Sequence, residues 1–127
     1  MDCNKAIELN AQLAEAYANR GLAYARLGNS QKAIKDYNKS VELNPQDAVT
    51  YYNRGLDYNV HGNSQLAIKD FNKTIELNPQ FAAAYFNRGV AYGLLGNSER
   101  AYENIKIAAK LGYEDAQEFL RSKGIEW

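Results

Sequence analysis

Between Ala14 and Gly28 the apolar positions fall at Tyr17, Gly21, Tyr24 and Leu27, three or four residues apart. That spacing predicts a helix with one buried stripe. Gly28-Asn29-Ser30 interrupts it; the glycine suits a left-handed helix end, and Ser30 is placed to cap the next helix. From Ser30 to Leu43 the stripe becomes Ala33, Tyr37, Ser40 and Val41, a second helix closed by Asn44-Pro45. The residue ahead of a proline is pushed out of helical conformation, so the unit ends there.

The unit then repeats. Tyr17-Ala18-Asn19-Arg20-Gly21 returns as Tyr51-Tyr52-Asn53-Arg54-Gly55 and as Tyr85-Phe86-Asn87-Arg88-Gly89, each time after 34 residues. Gly62-Asn63-Ser64, Asn78-Pro79 and Gly96-Asn97-Ser98 reproduce the punctuation, and only the last exit differs, as Gly112-Tyr113. A helical hairpin of this length buries its apolar face only against its neighbours, so the units stack into an array. Function then lies in a surface rather than at a catalytic point.

Tyr17, Gly21, Tyr24, Ala33, Tyr37, Ser40 and Pro45 stand in the order of a known pattern. Tyr51, Gly55, Tyr58, Ala67, Phe71, Thr74 and Pro79 follow it again, and Tyr85, Gly89, Tyr92, Ala101, Ile105 and Ala108 a third time without the proline. These columns resemble the tetratricopeptide repeat. The resemblance implies an all-α, right-handed superhelical array of antiparallel hairpins forming one domain. Its parts are helix B of a partial repeat over 1–13, repeats over 14–47, 48–81 and 82–115, and a capping helix and tail over 116–127. Arg20, Arg54 and Arg88 depart from the family, standing where an apolar residue precedes the glycine; each can lay its stem on the packed surface and offer its guanidinium to solvent or a carboxylate.

Both ends carry expectations. Asp2 to Leu9 aligns with Asp36 to Leu43, so the chain opens on a second helix whose first is missing and looks truncated. Cys3 falls in the column of Tyr37 and Phe71; it is read as a core position uncovered by that truncation rather than as a redox or metal site, because no second ligand is near. Asp115 to Lys123 repeats the start of a first helix but turns polar: Ala116 and Phe119-Leu120 cover the last hairpin, while Gln117, Glu118, Arg121 and Lys123 face water. Trp127 either completes that cap or anchors something else.

Composition narrows the function classes. Fifteen basic residues balance fifteen acidic ones, which leaves no field to gather nucleic acid or an anionic membrane. No apolar run reaches the roughly 20 residues of a spanning helix, and the first residues are no signal peptide; the expected location is cytoplasmic. One cysteine makes no internal disulfide. His61 beside Gly62 ends a helix, where a basic residue suits the dipole, and Ser30, Ser64 and Ser98 read as caps, since no His or Lys repeats beside them. No phosphate loop or metal-ligand spacing occurs, so neither an enzyme nor a cofactor is expected.

The resemblance places the first helix of each hairpin along a concave groove. From the three units it would present Glu15, Ala18, Asn19, Leu22, Ala25 and Arg26; Val49, Tyr52, Asn53, Leu56, Asn59 and Val60; and Ala83, Phe86, Asn87, Val90, Gly93 and Leu94. Helical spacing groups them independently. Asn19, Asn53 and Asn87 form one polar row, although Asn costs about 0.5 kcal/mol against Ala inside a helix. A carboxamide donates and accepts, so the row can hold the backbone of an extended peptide, like the asparagine ladder of some peptide-binding members of the family. The alternative is that three copies inherited Asn and use it to bond a neighbouring helix. Tyr52 and Phe86, each beside an Asn, tip the balance towards binding as exposed aromatic anchors. Arrays that grip a C-terminal carboxylate need Lys or Arg where Glu15, Asn19, Ala83 and Asn87 stand, so such a grip is not expected. The resulting expectation is a protein or peptide partner held by Asn19, Leu22, Arg26, Tyr52, Asn53, Leu56, Asn59, Val60, Phe86, Asn87, Val90 and Leu94. The competing reading is a scaffold self-associating through its repeat ends, at the edge around Cys3, Ala6 and Ile7.

Overall fold

The computed structural model describes residues 3–127, apart from the side chains of residues 3, 6 and 7. The expectations for Cys3 and for the Ala6 and Ile7 edge therefore lie outside the described residues. The described chain forms seven helices: α1 (Cys3–Arg26), α2 (Ser30–Leu43), α3 (Ala48–Val60), α4 (Ser64–Leu77), α5 (Ala82–Leu94), α6 (Ser98–Lys110) and α7 (Glu114–Ser122). No strand occurs among the described residues, and none of their helices is long and apolar enough to cross a membrane.

Glycine makes each turn within a hairpin. Gly28, Gly62 and Gly96 stand at φ +78°, +80° and +85°, where a Cβ would be strained. The caps differ from expectation. Asn29, Asn63 and Asn97, not the serines after them, accept from the backbone N–H groups of Lys32, Leu66 and Arg100, and each serine becomes the first helical residue. Leu27, placed in the buried stripe by its spacing, is 81% exposed because α1 has already ended at Arg26.

α1 corrects a second expectation. Over 3–13 no separate helix forms: the helix runs unbroken from Cys3 to Arg26. Asn44 and Asn78 end α2 and α4 in extended conformation because Pro45 and Pro79 follow them. Asn10 is followed by Ala11, which keeps its N–H and favours the helix.

Packing within each hairpin depends on the Gly column. A Cβ at Gly21 would lie 2.8 Å from the Tyr37 ring, and one at Gly55 2.7 Å from the Phe71 ring. Tyr37 and Phe71 are consequently fully buried. Ser40 and Thr74 tie the second helix of each hairpin to its first, donating to the carbonyls of Ala14 at 2.8 Å and Ala48 at 3.0 Å. The Arg column ties the two helices of each hairpin and, at Arg54 and Arg88, joins one hairpin to the one before. Arg54 donates through Nε and Nη2 to Asp70 at 2.9 and 2.7 Å and through Nη1 to Asn38 of the preceding hairpin at 2.9 Å. Tyr51 and Tyr58 flank its guanidinium at 5.6 and 6.0 Å. Arg20 grips Asp36 in the same bidentate way. Arg88 meets a neutral partner, Asn104, at 2.7 Å, and bonds Asn72 at 2.9 Å.

α7 covers the last hairpin through Ala116 and Leu120, both fully buried against Ile105, Ala108 and Ala109. Gln117, expected to face water, is half-buried instead, and its Nε2 donates to the Ala109 carbonyl at 2.9 Å. Glu118, Arg121 and Lys123 are exposed. Arg121 stacks over the Trp127 ring at 5.5 Å.

Candidate functional site

The first helices of the three hairpins, α1, α3 and α5, carry the candidate row. Asn19 is exposed and Asn53 half-buried, and among the described residues neither makes a side-chain hydrogen bond. Both carboxamides are thus open. Beside them Leu22, Leu56 and Val90 are half-buried, so their apolar surface is only partly covered. Val60 and Leu94, at 78% and 64% exposure, extend that surface to the helix ends, and Arg26 is exposed at the end of α1.

The third member of the row behaves differently. Asn87 Nδ2 donates to the Tyr52 hydroxyl at 3.0 Å and to the Ala83 carbonyl at 2.9 Å. Its amide is therefore spent on the α3 to α5 contact, the alternative use of this row, and only Oδ1 has no partner among the described residues. Asn59 is likewise engaged, accepting from Ser64 Oγ at 3.1 Å.

The aromatic anchors require correction. Tyr52 and Phe86 are half-buried, not exposed. The Tyr52 ring lies 4.9 Å from Phe81 and 5.9 Å from Phe71, and Phe86 lies 5.3 Å from Tyr113. These rings close the gaps between successive hairpins, and each offers at most one face or edge. Burial, followed by the neighbouring Tyr113, pushes the Tyr52 hydroxyl up to about 12, so it remains a neutral hydroxyl at physiological pH.

Several contributors were missed. Asp36 and Asp70 are buried partners of the Arg column, detectable as a carboxylate repeated after 34 residues on a helix face otherwise apolar. Ser30 donates to Asp57 Oδ1 at 2.9 Å across the first inter-hairpin contact. Asp57 has no counterpart in the other units, so the repeat gave no signal for it. His61 points back to the Asp57 carbonyl, its Nδ1 at 3.1 Å. Between α5, α6 and α7 lies a slot of about 280 Å³ lined by uncharged residues, among them Phe86, Val90, Gly93 and Ser98. Of these, Phe86, Val90 and Gly93 belong to the expected groove positions, whereas the repeat spacing marks Ser98 only as a cap.

Known proteins can be set beside this geometry. The tetratricopeptide repeat profile matches residues 14–47 and 48–81, and a second tetratricopeptide repeat profile matches 71–103. No curated protein matches the sequence. Among solved structures, the first TPR of Spaghetti (RPAP3), bound to the HSP90 peptide SRMEEVD, is 27% identical with a TM-score of 0.83, over 88% of this chain and 90% of that one. The Arabidopsis OM64 TPR domain, 24% identical with a TM-score of 0.82 over 90% of this chain and 98% of that one, shares the fold. MamA is 32% identical with a TM-score of 0.77, over 90% of this chain and 71% of that one. With the repeat profile covering more than half of its length and its helices stacked in the same arrangement, the chain belongs to the tetratricopeptide repeat family.

Proposed function

We propose that this chain is a protein-interaction module that binds an extended peptide or partner segment along α1, α3 and α5. The observation that carries the reading is the pair of open carboxamides, Asn19 and Asn53, set in one repeat column beside half-buried Leu22 and Leu56. Polar groups able to donate and accept, flanked by apolar surface, suit a ligand's main chain and its alternate side chains. Asn87 adds its Oδ1 as a third acceptor, while Tyr52 and Phe86 shape the floor.

The Spaghetti (RPAP3) repeat supports peptide binding by this fold, and its ligand is acidic. The present chain has Glu15, Asn19, Ala83 and Asn87 at the places where a carboxylate grip needs cations. Its Arg column is committed to Asp36, Asp70 and Asn104. The preferred ligand is therefore apolar and held mainly through its backbone. A random-peptide display selection on the chain and on Asn53→Ala, with SRMEEVD as the counter-ligand, tests this. Extended apolar peptides enrich on the unaltered chain and fade on the variant; preferential capture of SRMEEVD, or enrichment indifferent to Asn53, refutes the reading.

A further inference from the structure

The third hairpin is left open where the first two are closed. Ser30 is buried, its hydroxyl donating to Asp57 of the next hairpin. Ser64 is buried too, its hydroxyl bonded to Asn59, and Ala91, in the column of Asp57, is fully buried. Ser98 occupies the same column as Ser30 and Ser64 and is exposed.

The cause lies in α7. It has 9 residues where α3 and α5 have 13, and Gly124, at φ +70°, breaks the helical path just beyond its end. Ala116 and Leu120 cover Ile105, Ala108 and Ala109, whereas Gly93 and Ser98 remain exposed. Gly93 enlarges the space further. Its column holds Ala25 and Asn59 in the other units, and a Cβ here would meet only the Ala101 Cβ, at 3.8 Å.

We infer that this slot is the groove's specificity pocket, taking one large apolar side chain, the size of Leu, Met or Phe, from the bound segment; the inference rests on the peptide-binding reading. Three features define the occupant. The slot shares Phe86 and Val90 with the groove row, so it continues that surface. At about 280 Å³ it falls below the roughly 300–1,000 Å³ of small-molecule sites, room for a side chain rather than a cofactor. No charged residue among the described residues lines it, so a charged side chain would lose its water without gaining a partner. In the first two hairpins the corresponding Ser30 and Ser64 are buried, which sets the preference at one position of the ligand.

Display selections run in parallel on the unaltered chain, Gly93→Val and Phe119→Ala test this. Gly93→Val narrows the slot from α5 against a neighbour in ordinary contact, and Phe119→Ala widens it from α7. On the unaltered chain one ligand position is restricted to Leu, Met or Phe. On Gly93→Val that position relaxes to small residues, and the original consensus peptide binds about tenfold or more weakly; on Phe119→Ala the preference moves to Trp. An unchanged consensus and affinity on both variants overturns the slot while leaving the groove standing. Absence of enrichment on the unaltered chain overturns the groove reading and the slot with it. Unfolding curves verify that each variant is folded, and should Gly93→Val not fold, Phe119→Ala decides.

Discussion

Asn87 donates its amide to the Tyr52 hydroxyl at 3.0 Å, joining α5 to α3. Two residues of the candidate binding row therefore hold the array together. Asn87→Ala is expected to lower stability by about 1 kcal/mol, the net worth of a hydrogen bond between part-buried groups. Asn53→Ala, which breaks no such bond, is expected to leave stability unchanged or raise it by up to ~0.5 kcal/mol through helix propensity. Urea denaturation of the two variants separates a structural Asn from an open one.

The Arg column is graded. Arg54 is 17% exposed at its side chain and Asp70 5%, so Asp70→Ala strands a guanidinium and is expected to cost about 3 kcal/mol. Asp36→Ala costs less, because the Arg20 side chain is 59% exposed and reaches water. Arg88 stands apart: burial lowers its pKa, and no carboxylate among the described residues opposes that. Asn104→Asp supplies the missing charge and is expected to stabilise the chain by about 1 kcal/mol. Denaturation midpoints of the three variants give the order directly.

Tyr37 carries a fully buried hydroxyl for which no hydrogen-bond partner stands among the described residues. Burial, the largest cause, together with the Asp57 charge pushes its pKa up to about 12. Phe71 fills the same column one hairpin later with no hydroxyl at all. Tyr37→Phe is expected to raise stability by about 1 kcal/mol. Gly21→Ala is expected to lower it by about 1–3 kcal/mol, since the new Cβ meets the Tyr37 ring at 2.8 Å. Thermal unfolding reports both.

Asp57 makes stability depend on pH. Burial raises its pKa above the ordinary 3.8, opposed by the Ser30 hydroxyl and then by His61. The folded chain therefore holds this proton to a higher pH than the unfolded chain does. Its contribution is fully present below the unfolded pKa and is lost as pH rises through the folded one. Asp57→Asn keeps an acceptor for Ser30 and removes the titration. Its gain in stability over the unaltered chain should grow from pH 3 to pH 7 in denaturant titrations; a constant difference would contradict this.

The repeat made the hairpins legible because Gly28, Pro45 and their counterparts act locally: a positive φ and a missing N–H stop helices wherever they stand. The unbroken α1 was hidden by the same logic, since alignment with α2 suggested a boundary at Asn10 while Ala11 removed the physical reason for one. Within the candidate site, the column of Asn19, Asn53 and Asn87 was visible, but not its division into open and engaged members. That division depends on Tyr52, whose second-unit position is filled by Ala18 and Phe86 elsewhere, neither of which offers a hydroxyl. The slot was illegible because it arises from what α7 fails to cover, a consequence of helix length and of the turn at Gly124 rather than of any residue type.

The central claim is most directly tested by titrating the best display-selected apolar peptide into the unaltered chain and into Asn53→Ala, with heat of binding as the readout. The account predicts a five- to tenfold loss of affinity, about 1 kcal/mol for one backbone hydrogen bond, with stability retained. Equal affinity for the two proteins would contradict it, for the open carboxamide would then take no part in holding the ligand.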